Sequence, residues 1–223
     1  ELLDVDCAFD PPIPLPWEGA YHPNAPRTFE NIGQYLEWYK PDDKPTVGLL
    51  FSRFSWANNL LDVEDELIRA LEQQGMNVIP VFSYSVRDLE LGTRSMAEVV
   101  SDYFLNDDEP RIAAMVKTVP FFLGQEAKSM GEAKSNKKGI SLLKRLNVPV
   151  FEPILSYHMN LDEWENGIGL SNDIGWSVAM PEFEGMIEPI IVGAGSKRGE
   201  YDERTPIPER CVKLAGRVKK WVA

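Results

Sequence analysis

The chain has 223 residues and carries 35 acidic against 23 basic side chains, a formal net charge of −12 at pH 7. This charge argues against nucleic acid or an anionic membrane surface as the main partner, because both repel an acidic protein. Hydrophobic residues make up 43% of the chain, and no apolar run reaches the roughly 18–20 residues that cross a bilayer. The composition is that of a globular protein with no membrane span.

Residues 1–45 are interpreted as a proline-rich arm and one helix that packs on the main domain. Prolines cluster within residues 1–26. Proline fixes φ and donates no backbone hydrogen bond, so an extended arm is expected. From about Pro26 to Tyr39, apolar side chains recur three and four residues apart, which predicts a helix that ends before Pro41.

Residues 46–223 are predicted to form an α/β domain, because short apolar strands alternate with amphipathic helices. The predicted elements are strand Val47–Phe51, helix Asp62–Gln74, strand Asn77–Phe82, helix Met96–Phe104, strand Ile112–Val116, a helix from near Asn136 to Leu146, and strand Val148–Leu155. Asp62 is expected to cap its helix, and Gly75 to end it in the left-handed region. The alternation predicts a flavodoxin-like or Rossmann-like parallel sheet with helices on both faces.

The last third of the chain has a different pattern. Ile174–Met180 and Ile187–Val192 are predicted as strands, and the final helix is predicted to begin near Pro208, a favoured first residue. Asp162–Glu165 is predicted as a short helical turn. Gly193–Gly199 follows a strand but matches neither the dinucleotide nor the P-loop pattern, so it is interpreted as a turn.

The cysteines and the ends of the chain bear on its context. Cys7 and Cys211 lie far apart; a disulfide between them is one reading, and free thiols in a reducing compartment are favoured. With no signal peptide visible, a cytoplasmic location is expected. The chain opens at Glu1 without methionine and closes within a helical pattern, which indicates an excerpt of a longer polypeptide.

Two basic segments follow predicted strands, where ligands bind in open parallel sheets. Arg53 follows the first strand and could clamp a carboxylate; a solvated arginine beside a packing aromatic is the equal alternative. The stretch from Gly124 to Gly139 contains Lys128, Lys134, Lys137 and Lys138. It could be a lid over an anion, but a solvated loop is favoured.

Histidines and paired carboxylates are the other candidates for chemistry. Neither His22 nor His158 has a second histidine or a cysteine at metal-ligand spacing, so no zinc site is predicted. His158 follows the fourth strand, where a general base could lie, although a plain loop histidine is favoured. Glu182 and Glu184 alternate as in a strand and could share a proton or bind a cation; a solvated turn is the favoured alternative.

A set of short motifs resembles the large subunit of the cobalt and magnesium chelatases, which insert a metal ion into a tetrapyrrole. Each motif alone is weak, but together they cover essentially the whole chain in order. The motifs are Gly19–Pro26, Tyr35–Tyr39, Thr46–Arg53, Leu67–Glu72, Gly75–Phe82, Leu146–Val150, Val178–Gly185, Ile187–Ile190 and the final helix through Arg217 to Trp221.

The resemblance implies that this chain is an internal fragment of a subunit of about a thousand residues or more. In that family the whole subunit binds the tetrapyrrole, Co²⁺ or Mg²⁺ is the substrate, and an AAA-type ATPase assembly uses MgATP to drive insertion. The family's His-Gly signature is absent here, so the isolated chain is expected to be inactive and to bind no cofactor itself. The family usually has a short turn where this chain has the longer, lysine-rich Gln125–Lys138.

The resemblance and the positions after strands place His22, Arg53 and Glu182 near the tetrapyrrole cavity, with Arg53 paired to a peripheral carboxylate. Phe51–Arg53, with Trp56 close behind, resembles the cobalt branch more than the magnesium branch. Two alternatives remain at this point. One is a non-catalytic scaffold that docks the ATPase subunits or the other domains of the large subunit. The other is an unrelated flavodoxin-like sensor that binds FMN or a nucleotide.

Overall fold

A computed structural model of the chain describes residues 13–119, 123–124, 133–156, 159–170, 174–198 and 201–223. The strands are β1 (Glu18–Ala20), β2 (Thr46–Ser52), β3 (Asn77–Ser83), β4 (Leu105–Asn106), β5 (Glu109–Pro110), β6 (Ala114–Lys117), β7 (Val150–Phe151), β8 (Ile154–Ser156), β9 (Ile191–Arg198) and β10 (Tyr201–Pro206). The helices are α1 (Ile32–Tyr39), α2 (Arg53–Ala57), α3 (Asp62–Gln73), α4 (Met96–Phe104), α5 (Ala133–Leu146), α6 (Leu161–Asn166), α7 (Met180–Phe183) and α8 (Pro208–Val222). A π-helical turn, Gly175–Ala179, leads into α7.

The main sheet has the strand order β1-β3-β2-β6-β7. The strands β3, β2, β6 and β7 are parallel, whereas β1 runs antiparallel along the edge of β3. Among the parallel strands the first along the chain lies between the second and the third, which is the flavodoxin order. The predicted parallel α/β fold is therefore confirmed.

Helices cover both faces of this sheet, as expected. Side chains of β2 alternate between the faces: Leu49 points to the core that α3 and α8 cover, and Leu50 to the core under α1, α4 and α5. Leu71 of α3 and Leu146 of α5 are both buried in these cores. In the described part of the chain, no helix is long and apolar enough to cross a membrane.

Several predicted elements differ in their bounds. The first helix begins at Ile32 rather than near Pro26, because the Asn31 side chain caps it by accepting from the Gln34 amide. Leu61, not Asp62, is the residue before α3, and Gly75 has the expected left-handed φ of 79°. The strand β1, which the sequence did not predict, pairs Glu18 with Ser83.

The predicted strand Val148–Leu155 is instead two strands in different sheets. β7 ends at Phe151 and β8 begins at Ile154, with Glu152 and Pro153 between them. Proline cannot donate to a strand ladder, which breaks the pairing at that point. The second sheet has the order β10-β9-β8, with β8 parallel to β9 and β10 antiparallel to it.

Three predictions in the last third were wrong. Ile174–Met180 is helical, because the hydrophobic pattern of so short an apolar run does not distinguish a helix from a strand. Within Ile187–Val192, only Ile191 and Val192 belong to a strand, while Ile187 forms an isolated bridge with Phe151. Within Gly193–Gly199, the described residues up to Arg198 belong to β9 rather than to a turn. Gly193 serves close packing, because a Cβ there would lie 2.6 Å from Val63 Cγ2.

Gly48, in the centre of β2, offers a test of this packing. The Gly48→Ala substitution is expected to lower the free energy of unfolding by about 1–3 kcal/mol, as overpacked cores do. The added Cβ would lie 2.8 Å from Phe104 Cζ. Gly216→Ala in α8 is the matched control. Among the described residues, no atom beyond the backbone of its own helix lies within 4 Å of the added Cβ, so the change should stabilise the helix by up to about 1 kcal/mol. Urea denaturation measures both, and equal effects would contradict the packing argument.

Candidate functional site

The carboxyl ends of the parallel strands form one edge of the main sheet, called here the carboxyl edge. Ser83 ends β3, Ser52 ends β2, Lys117 ends β6, and Glu152 follows β7. The chain passes from β2 to β3 on one side of β2 and then from β3 to β6 on the other side, so the topological switch point lies between β2 and β6. Ligands of open α/β sheets bind in the crevice at this point. Arg53 and Lys117 flank it.

Arg53 is the first residue of α2, whose start is capped by the Ser52 hydroxyl. Its side chain holds the N-terminal segment in place: Nε donates to the carbonyl of Pro16 at 2.7 Å, and Nη2 donates to that of Leu15 at 3.3 Å. The guanidinium also lies 4.5 Å from the centre of the Trp17 ring. Two of the five N–H donors of the guanidinium are thus used. The other three have no hydrogen-bond partner among the described residues and can bind a ligand.

Apolar side chains surround Arg53 at the surface. Trp17 packs edge-on against Tyr84, with ring centres 5.1 Å apart. Leu15 is 51% exposed and Phe54 is 56% exposed. A cation set among exposed aromatic and aliphatic groups can bind a flat apolar ligand that carries carboxylates.

A buried ionic cluster lies at the other side of the switch point and consists of Lys117, Glu152 and Glu184, called here the buried triad. The Lys117 ammonium contacts Glu152 Oε2, and both side chains are almost fully buried. Burial raises the pKa of Glu152 to about 7, although the charge of Lys117 lowers it. Glu184 accepts hydrogen bonds from the Leu123 amide, and burial raises its pKa to about 6.

Glu182 and Glu184 do not share a face, contrary to the strand-like interpretation. Glu182 lies in α7 and is exposed, whereas Glu184 lies in the following turn and is 8% exposed. Glu182 borders a small cavity that Glu152 also lines. The structure therefore places Glu182 at the surface and Glu184 within the buried triad.

His22 is a buried residue of the loop after β1. Its Nε2 lies 3.1 Å from Glu72 Oε1, which also accepts from the Tyr39 hydroxyl at 2.9 Å. Its Nδ1 accepts from the Asn24 amide at 3.2 Å. Because β1 is antiparallel to β3, the chain at His22 runs away from the carboxyl edge. Among the described contacts, none brings His22, Arg53 and Glu182 together.

A second buried ionic cluster joins the two sheets. Arg204 of β10 donates to the Ser55 hydroxyl at 2.5 Å, and its Nη1 lies 3.7 Å from Glu64 Oε1. Glu64 is 1% exposed, and burial raises its pKa to about 7 although the charge of Arg204 lowers it. This cluster connects α2 and α3 with β10 of the second sheet. Its position between the two sheets indicates a structural role.

The remaining candidates fall partly outside the described residues. His158, Lys128 and Cys7 all lie outside them. The predicted loop Gly124–Gly139 is in part helix, since α5 already begins at Ala133, and Lys137 and Lys138 are exposed on it. Cys211 is a buried free thiol in α8.

Sequence reasoning missed Lys117 and Glu152. A signal was present, because each is a charged residue that directly follows a run of buried apolar residues at the end of a strand. A charged side chain at a buried position is usually paired with a side chain of opposite charge, so the sequence could have indicated an ion pair at these strand ends. The pairing itself joins residues 35 positions apart and depends on β6 and β7 being neighbours.

Comparisons with known proteins agree with this architecture. A family model described as CobN/Magnesium Chelatase matches residues 1–223. An uncharacterized protein of Methanocaldococcus jannaschii is 39% identical over 209 residues, which are 93% of this chain and 17% of that protein. A magnesium-chelatase subunit of Chlorobaculum parvum is 28% identical over 239 residues, covering 100% of this chain and 17% of that protein.

One solved structure shows the same fold. The catalytic subunit of cobaltochelatase from Mycobacterium tuberculosis matches 96% of this chain with a TM-score of 0.65 at 22% sequence identity. The match covers 16% of that protein. The chain thus spans 16–17% of the length of the relatives that it matches.

Proposed function

Because the chain belongs to the CobN/magnesium chelatase family and corresponds to one domain of its large subunit, we propose that it contributes to the cavity that holds a tetrapyrrole during metal insertion. The metal ion is a substrate, with Co²⁺ favoured over Mg²⁺. The insertion step is driven by partner ATPase subunits that use MgATP, and this chain does not catalyse it alone. Membership of this family excludes the alternative of an unrelated flavodoxin-like sensor that binds FMN or a nucleotide.

The surface around Arg53 is the observation that carries this proposal. It combines a partly exposed guanidinium, the Trp17 ring beneath it, and Tyr84 and Phe54 nearby, all at the carboxyl edge of the sheet. A tetrapyrrole presents a flat apolar ring with carboxylates at its rim. Arg53 would bind one carboxylate while the aromatic groups contact the ring.

Glu182 and His22 have different places in this proposal. Glu182 lies beside Glu152, which follows β7, and β7 is two strands from β2, about 10 Å at the usual strand spacing. A ligand at the switch point could therefore reach both Arg53 and Glu182. His22 would meet the ring only if the loop after β1 opened, and the affinity of a His22→Ala variant tests that contact.

The Arg53→Met variant of the full-length large subunit is expected to bind its metal-free tetrapyrrole about 10- to 100-fold more weakly. A charge-assisted hydrogen bond contributes about 1.5–3 kcal/mol, and methionine keeps the packing on Trp17 without the charge. Arg69→Met on the exposed side of α3 is the matched control. Tryptophan quenching measures both affinities, and equal values for the two variants would rule out Arg53 as a ligand contact.

The alternative proposal is a scaffold that docks the other domains of the large subunit or the ATPase subunits. It is favoured by several large apolar side chains that are exposed in the structure: Ile168 is 99% exposed, Phe183 71% and Trp221 58%. Exposed apolar groups that lie together in a patch mark sites of protein interaction. A variant with all three replaced by serine that still assembles with the rest of the large subunit and the ATPases would exclude this role.

A further inference from the structure

The buried triad carries more charge than its surroundings balance. Lys117 supplies one positive charge, and Glu152 and Glu184 supply two negative charges if both are ionised. The exposed fraction is 1% for Lys117, 3% for Glu152 and 8% for Glu184. An unbalanced buried carboxylate is costly, and the cost is avoided when one carboxyl group of the cluster holds a proton.

Glu152 is the member of the triad that faces a route to the surface. Its Oε2 contacts Lys117, whereas its Oε1 has no hydrogen-bond partner among the described residues. Glu152 lines a cavity of about 10 Å³, enough for one water molecule. Ser177 and the exposed Glu182 line the same cavity.

The charged groups that face Glu152 come from three elements of the described structure. Lys117 approaches from β6, Glu184 from the turn after α7, and Glu182 borders the cavity from α7. Burial raises the pKa of Glu152 to about 7 and that of Glu184 to about 6, with Lys117 opposing both shifts. The two carboxyl groups interact, so their protons are lost in coupled steps.

We propose that Lys117, Glu152 and Glu184 form a buried acid–base site that takes up and releases one proton through the cavity bordered by Ser177 and Glu182. On uptake, an O–H bond forms at Glu152 Oε1 with a proton from a hydronium ion in the cavity, and the oxygen of that ion keeps the electron pair of the bond that breaks. On release, the O–H bond at Oε1 breaks, the electron pair stays on the carboxylate, and the proton passes to a water molecule in the cavity. No electron transfer is needed.

Carbon-13 NMR of the 223-residue chain, with glutamate labelled at the side-chain carboxyl, tests the proposal without any tetrapyrrole. Its outcome is therefore independent of the proposed function. The Glu152→Gln variant identifies the Glu152 resonance by its loss, and Glu165→Gln at an exposed position of α6 is the matched control. The Glu152 resonance should titrate at least one pH unit above the glutamates of the chain unfolded in urea. A resonance that stays ionised from pH 5 to pH 9 would overturn the proposal.

The route is tested by a second variant. In Glu182→Gln, the Glu152 resonance should titrate with a similar midpoint, but proton exchange at that midpoint, measured by relaxation dispersion, should slow at least threefold. An unchanged exchange rate would overturn the route through the cavity. If Glu152→Gln does not fold, the double variant Lys117→Met with Glu152→Leu provides the assignment, since it removes the resonance and both charges together.

Discussion

Replacing Lys117 by methionine is expected to lower the free energy of unfolding by about 3–5 kcal/mol at pH 8. The substitution removes the ammonium partner of Glu152, so at pH 8 this 3% exposed carboxyl group must either stay ionised and unpaired or take up a proton. The loss should shrink as the pH is lowered towards 5. Burial holds the pKa of Glu152 above its ordinary value, so the folded state binds a proton there more readily than the unfolded state. Urea denaturation at several pH values measures the change.

Two further variants separate the charge effect from lost packing. Lys213→Met on the exposed side of α8 is the control and should change stability by less than about 0.5 kcal/mol. The double variant Lys117→Met with Glu152→Leu should recover most of the loss, because apolar replacement of a whole buried ion pair is often neutral or stabilising. A double variant whose loss equals or exceeds the sum of the single losses would contradict this account.

Replacing Arg204 by methionine is expected to have a comparable effect, about 3–5 kcal/mol, through the second buried cluster. At pH 8, Glu64, which is 1% exposed, would have to stay ionised without its cation or take up a proton, since Arg204 is the basic group 3.7 Å from its Oε1. The loss should be concentrated where the two sheets meet, because Arg204 belongs to β10 while Glu64 and Ser55 belong to α3 and α2. Hydrogen exchange should accordingly speed up in β9 and β10 before it does in β2 and β3.

The pairing is tested by neutralising Glu64 in the same chain. Glu64→Gln combined with Arg204→Met should be more stable than Arg204→Met alone, since no unpaired charge remains buried. Arg27→Met, at an exposed position, is the control for the loss of an arginine. Additive losses in the double variant would show that Glu64 and Arg204 do not stabilise one another.

The central strands and several helices could be predicted because their signals are local. Helix α4 matches its predicted bounds, Met96–Phe104, and the structure gives the reason: Ser95 and Glu98 form a capping box at its start. Strands β2 and β3 are runs of buried apolar residues that lie within a parallel sheet. Their parallel direction followed from the alternation of strands and helices.

The features that escaped prediction depend on contacts between distant residues. The segment Val148–Leu155 divides into two strands because its halves have different partners: β7 pairs with β6, and β8 pairs with β9. The glycines of the segment 193–199 suggested a turn. In the structure, the absence of a side chain at Gly193 instead lets β9 pack closely against Val63. Among the candidate residues, Arg53 could be proposed from its position after a strand, whereas the pairing of Lys117 with Glu152 depends on β6 and β7 being neighbours.

The most direct test of the proposed function is a tryptophan-fluorescence titration of the 223-residue chain, shown first to unfold cooperatively. Trp17 is the natural reporter, since its ring lies under the Arg53 guanidinium at the carboxyl edge. We expect saturable quenching at micromolar concentrations by a metal-free corrin precursor and not by protoporphyrin, with the signal reduced in Trp17→Phe. Quenching by protoporphyrin alone would keep the cavity but reassign the metal to Mg²⁺. The absence of quenching by either ligand would contradict a tetrapyrrole site on this domain and leave the scaffold role.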